Sequence, residues 1–168
     1  MGVTDELVRN NEVYAARFAK GDLPGRPAKG IAIVACMDAR LDPHRILGLS
    51  EGDAHLIRNA GGSVTEDALR SLVISQWLLG TTQIMLIAHT DCGMLSFSDD
   101  DLADRIAEAT GVRPPFALGA FADLEGSVRA GMAAIEGSPF LLHTNVRGFV
   151  YDVTSGRLSE VGTPAGSG

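Results

Sequence analysis

The hydrophobic positions along this chain change period several times, and each change marks a boundary between elements. Between Thr4 and Ala19, the apolar residues Leu7, Val8, Val13, Tyr14 and Phe18 recur at helical spacing, with Thr4 as the expected N-cap. The loop-forming stretch from Gly21 to Pro27 ends that helix. Ile31 to Cys36 is an almost unbroken apolar, β-branched run, as expected of a strand buried on both faces of a parallel sheet. His55 to Asn59 predicts a second strand, closed by Ala60, Gly61 and Gly62. Thr65 to Leu79 is helical in pattern, with Gly80 in the C′ position that favours glycine. A third apolar run, Ile84 to Ala88, leads directly into His89. Ser98 and the acidic run Asp99 to Asp101 suit the start of a helix through Ala109, where negative charge complements the helix dipole. Leu118 to Ile135 predicts another helix, and Phe140 to Thr144 a strand. Phe149 to Val153 and Arg157 to Val161 flank a turn-forming Thr-Ser-Gly and predict a hairpin. The small, polar tail from Gly162 is expected to be disordered.

Strands alternating with helices predict an α/β fold, with a mostly parallel central sheet of four to five strands flanked by helices. The 168 residues fit a single domain, with residues 1–25 forming an N-terminal helical arm. Apolar residues make up 45% and charged residues 21%, the balance of an ordinary globular protein. A net charge of -7 without any basic cluster argues against nucleic acid as a partner. No apolar run approaches the roughly 20 residues that span a bilayer. Met1 to Asn11 lacks the basic-then-apolar order of a signal peptide, so the cytoplasm is the expected location. In that reducing compartment the only two cysteines, Cys36 and Cys92, are expected as core thiols or metal ligands rather than a disulfide.

Candidate chemistry gathers at two strand ends. The first apolar strand runs into Cys36-Met37-Asp38-Ala39-Arg40, and the third into His89-Thr90-Asp91-Cys92-Gly93. In open α/β sheets, ligands bind beyond the carboxyl ends of the strands, where both segments lie. Cys36 and Asp38 point to one side if the chain is still extended there, and His89 and Cys92 can share a centre if it turns. Each residue alone has an ordinary explanation: buried thiols, a satisfied core histidine, a surface Asp38–Arg40 ion pair. If the two strand ends adjoin, they bring two thiolates, an imidazole and a carboxylate together. Soft sulfur with one imidazole favours Zn²⁺ over Mg²⁺, Ca²⁺ or Mn²⁺.

These residues carry a resemblance. The chain is similar to β-class carbonic anhydrases, whose signature C-x-D-x-R followed by H-x-x-C is matched by Cys36, Asp38, Arg40, His89 and Cys92. Arg58-Asn59-Ala60-Gly61 resembles an R-N-A-G segment of the same family, and the likeness runs from about Ile31 to Val153. It is strongest to short bacterial members carrying A-C-M-D-A-R and H-T-D-C-G-M. Met94 stands where many members have a second glycine, a departure that alters the pocket wall beside the metal.

The resemblance implies a zinc cofactor on Cys36, His89 and Cys92, with CO₂ and bicarbonate as small-molecule substrates. It gives Asp38 two roles, either as a fourth ligand that closes the site or as a partner of Arg40 that leaves the site open. Two thiolates already neutralise the metal's charge, so activity is expected to rise toward alkaline pH. It also implies a homodimer or dimer of dimers, in line with a low aromatic content of 5% and positive mean hydropathy. Two rivals share the residues. Carbonyl sulfide hydrolysis needs the same ligands with a different apolar pocket. A structural zinc or a thiol redox sensor would use Cys36, Asp38, His89 and Cys92 as a closed set.

Overall fold

The computed structural model describes residues 2–162. A five-stranded sheet, ordered β2-β1-β3-β4-β5, forms the centre. The strands are β1 (Ile31–Cys36), β2 (Ala54–Asn59), β3 (Gln83–His89), β4 (Val146–Tyr151) and β5 (Leu158–Val161). The first four pair in parallel and β5 closes one edge antiparallel to β4. The helices are α1 (Val3–Ala15), α2 (Pro43–Leu47), α3 (Glu66–Trp77), α4 (Asp99–Thr110) and α5 (Leu124–Glu136).

Alternation along the central strands divides the core between two faces. Ala32, Val34, Ile84 and Leu86 pack with Leu72 of α3 and with Met132 and Ile135 of α5. Ile33, Ala35 and Ile87 pack on the other side with Leu41, Met94 and the α2 residues Ile46 and Leu47. Because both faces are covered, β1 and β3 read as continuous apolar runs in the sequence. The α/β expectation holds, and so does the helical N-terminal segment. α1 buries none of its residues; Val3, Leu7, Val8 and Val13 are all exposed.

Several details differ from the sequence reading, among them the end of α1 at Ala15 rather than Ala19 and β4 over Val146–Tyr151 rather than Phe149–Val153. α1 is capped at Gly2 rather than Thr4, where the Asp5 carboxylate accepts the Gly2 N–H at 2.9 Å. α2 was not anticipated, although Asp42 caps it, Pro43 opens it and left-handed Gly48 ends it. α5 starts at Leu124, not Leu118, because the amides of Leu118, Gly119 and Ala120 donate to Asp99 at 2.9, 3.0 and 2.7 Å. Phe140–Thr144 is not a strand. Gln76 on α3 takes its backbone groups, accepting from Leu142 and His143 N–H at 2.8 and 3.0 Å and donating to the His143 carbonyl at 2.7 Å. The expected disordered tail lies outside the described residues beyond Gly162.

Candidate metal centre

β1 and β3 are neighbours although β2 separates them in the chain, and Ala35 lies level with Ile87. Cys36 ends β1 and His89 ends β3, so the two side chains leave the sheet at adjacent places on its carboxyl edge. After β3 the chain reverses through Asp91, whose φ of 54° is left-handed, into a 3-10 turn at Gly93–Leu95. That reversal returns Cys92 toward His89. Donor atoms of Cys36, His89 and Cys92 all lie within 4.8 Å of one another. The three residues are 4%, 0% and 6% exposed, so the group is buried, and both thiols are free.

The histidine is set up as a donor of electrons. Its Nδ1 lies 2.8 Å from the Thr90 carbonyl, an acceptor only, which puts the ring proton on Nδ1 and the lone pair on Nε2. Nε2 is buried without a hydrogen-bond partner among the described residues. A buried polar atom in that state requires an explanation, and a cation shared with two sulfurs supplies one. Burial pushes the Cys92 thiol up, and the neighbouring Cys36 adds to the rise. A soft divalent ion that displaces the thiol protons fits this donor set.

Asp38 sits beside the trio with its carboxylate turned to Arg40. Arg40 Nε donates to Oδ1 at 2.9 Å and an Nη to Oδ2 at 2.8 Å, while the Arg40 backbone N–H also reaches Oδ1 at 2.9 Å. These bonds hold the Asp38 carboxyl well below the usual carboxylate range. Oδ2 stands 3.8 Å from His89 Nε2, next to the donors without being pooled with them. The Arg58 guanidinium braces the turn that follows β1, donating to the Cys36 carbonyl at 3.0 and 2.8 Å and to the Asp38 carbonyl at 2.8 Å. Asn59 locks the next turn by exchanging two hydrogen bonds with the Ser63 backbone, at 2.8 and 2.9 Å. The R-N-A-G segment therefore shapes the site. Ala60 and Gly61 line a cavity of about 430 Å³ with the three donors, Asp38, Met37, Met94 and Phe97. Met37 and Phe97 were missed in the sequence, where only Met94 signalled a change in the wall.

An α/β sheet carrying two thiols and an imidazole at the carboxyl edge of neighbouring parallel strands defines a mononuclear metalloprotein of the zinc type. The comparisons agree. A family model described as carbonic anhydrase matches residues 31–112. Over 96% of its length the chain is 55% identical to beta-carbonic anhydrase 1 of Mycobacterium tuberculosis and covers 99% of that protein. A crystal structure of carbonic anhydrase from Streptococcus mutans superposes with a TM-score of 0.91 at 39% identity, covering 96% of this chain and 99% of that one. A carbon disulfide hydrolase of Saccharolobus solfataricus is 42% identical over 99 residues, 59% of this chain and 47% of that protein. The chain belongs to the β-carbonic anhydrase family, whose members are zinc enzymes.

Proposed function

We propose that this protein reversibly hydrates carbon dioxide to bicarbonate and a proton, with Cys36, His89 and Cys92 as the zinc ligands. The observation that carries the reading is the buried Nε2 of His89, without a hydrogen-bond partner among the described residues, with two thiol sulfurs inside 4.8 Å. Bound there, zinc supplies Lewis-acid activation of water. His89 presents Nε2 because the Thr90 carbonyl fixes its tautomer. Asp38 stays ionised through the neutral range, so it would act as a hydrogen-bond acceptor toward the nucleophile that a bound zinc would supply and cannot serve as a general acid. Its pairing with Arg40 favours the open arrangement over Asp38 as a fourth ligand. Met37, Met94 and Phe97 offer apolar walls to a linear, uncharged substrate.

Stoichiometric zinc together with hydration that rises toward alkaline pH is the expected result. A zinc-loaded protein without hydration at any pH would return the structural-zinc and thiol-sensor readings. The likeness to a carbon disulfide hydrolase keeps sulfur analogues, carbonyl sulfide included, as a second reading of the same site. Hydrogen sulfide release measured beside hydration on one preparation separates the two.

The chain is read as one domain, residues 1–168, with residues 1–25 as an arm. Because α1 buries nothing on its own subunit, its exposed Val3, Leu7, Val8 and Val13 suit a homodimer or a dimer of dimers. No described helix is long and apolar enough to cross a membrane. The reduced thiols suit a cytoplasmic location.

A further inference from the structure

Asp91 lies inside the second ligand segment, between His89 and Cys92, and its side chain is 80% exposed. Among the described residues it alone combines a side chain with a positive φ, 54°. Glycine or asparagine would adopt that backbone more readily. What the aspartate adds is a grip on Arg40. One Arg40 Nη donates to Asp91 Oδ2 at 2.7 Å, and the other donates to the Asp91 carbonyl at 2.9 Å. The second Nη also serves Asp38 Oδ2, and Nε serves Asp38 Oδ1. One guanidinium thus engages both ligand-bearing segments, Cys36 to Arg40 and His89 to Cys92, with all three of its nitrogens occupied.

We propose that Asp91 is a positioning residue for Arg40, and through it for Asp38. This rests on the reading of Asp38 and Arg40 as machinery beside a zinc held by Cys36, His89 and Cys92. With a single anchor, the Asp38–Arg40 pair would be free to move as a unit, since the long Arg40 side chain is 46% exposed. The second anchor, on a turn tied to β3, fixes the guanidinium in space. Asp38 then has to surrender two hydrogen bonds from a stationary partner before it can turn toward His89 Nε2, 3.8 Å away. A planar fork donating to two carboxylates from fixed directions sets an orientation that a lone ion pair does not. The carbonyl contact is available to any residue at position 91, whereas the carboxylate contact is specific to aspartate.

The test compares Asp91→Gly and Asp91→Asn in the zinc-loaded full chain. Both substitutes accept the left-handed backbone, so if Asp91 were only a turn former, both variants would match the wild type. Positioning instead predicts that kcat/KM for hydration falls about tenfold in Asp91→Gly, the lower range for outer partners of a metal site, with less loss in Asp91→Asn. Zinc content stays at one per chain and the melting temperature does not fall. In an Arg40→Ala background, Asp91→Gly adds nothing further, because the residue through which it acts is gone. Crystal structures of the zinc-loaded proteins give a readout apart from activity: Asp91→Gly should lose the wild-type arrangement of Arg40 and Asp38. An unchanged Asp38–Arg40 pair, or equal losses with and without Arg40, overturns the proposal. A zinc-loaded wild type inactive toward carbon dioxide would sink the functional reading alone, leaving the crystallographic comparison to judge Asp91.

Discussion

Gly62 stands where the two strands that carry the site part company, and replacing it with alanine tests how tightly the fold and the centre are joined. Its φ is 65°, and a Cβ there would meet the Cys36 amide nitrogen at 2.8 Å, the Ile87 carbonyl oxygen at 2.9 Å and the Ala35 carbonyl carbon at 3.0 Å. All three are backbone atoms of β1 and β3, held by the ladder that sets Ala35 against Ile87, so none can retreat alone. Gly48 is an internal control. Its φ is 64°, and a Cβ there would have nothing within 4 Å. Both substitutions bear the left-handed cost of about 1–2 kcal/mol, and both gain the same small relief from a stiffer unfolded chain. The difference isolates the steric part, about 1–3 kcal/mol for forcing a methyl group into packed backbone. Urea denaturation at matched protein and zinc concentrations should therefore place Gly62→Ala about 1–3 kcal/mol below Gly48→Ala. Zinc affinity, measured by competition with a chelator, should fall in Gly62→Ala and hold in Gly48→Ala, because the clash lands on the amide of a ligand. Equal midpoints and equal zinc affinities for the two variants would refute the argument.

Three further perturbations probe separate parts of the molecule. Leu72 of α3 is fully buried in the cluster it forms with sheet and α5 residues, so Leu72→Ala should cost about 2–5 kcal/mol in the same denaturation assay while zinc stoichiometry stays unchanged. Burial raises the Cys92 thiol above its ordinary 9.0, so without metal Cys92 holds its proton and zinc must release it. Apparent zinc affinity should climb with pH through the neutral and mildly alkaline range, and pH-independent uptake there would contradict the assignment. Asp99 has its carboxyl lowered chiefly by backbone N–H donors of Gly119 and Ala120. Its contribution to stability is present above the ordinary 3.8 and is lost as acid protonates the folded group. Asp99→Ala should melt earlier than wild type at neutral pH, and the gap should close in strong acid. A constant gap would point to packing instead.

Much of this was legible in the sequence because the central strands are buried on both faces. Ile31 to Cys36 and Ile84 to His89 have no polar interruption to disguise them, and the helices α3 and α4 announce their starts with Thr65 and Ser98. Spacing alone could not say that β1 lies between β2 and β3, so that Cys36 and His89 emerge side by side. Adjacency and register are long-range properties, and only the motif resemblance anticipated them. The errors fell where a side chain captures backbone groups from a distant segment. Gln76 occupies the stretch that reads as a strand after Phe140, and Asp99 holds the amides that would have extended α5 toward Leu118. Local propensity loses to such contacts because it contains no information about partners far along the chain.

The three donors are not held alike, and the difference bears on how the centre assembles. Cys36 and His89 are the last residues of paired strands, with Cys36 level with Asn59 on β2 and His89 level with Tyr151 on β4. The sheet core fixes their backbones before any metal arrives. Cys92 belongs to no ladder. Its position depends on the left-handed step at Asp91 and on the 3-10 turn in which Leu95 N–H donates to the Cys92 carbonyl at 3.0 Å. The tie from that turn back to the β1 segment is Arg40, through the Asp91 carboxylate and carbonyl. The site therefore has two donors preorganised by the fold and a third positioned by a short turn, so the ordering entropy left for metal binding is concentrated in residues 90 to 95. Amide exchange should accordingly slow on zinc binding mostly in that turn and little in β1 or β3. Uniform protection across the sheet would mean that the metal organises the strands too, and that the fold does not precede the site.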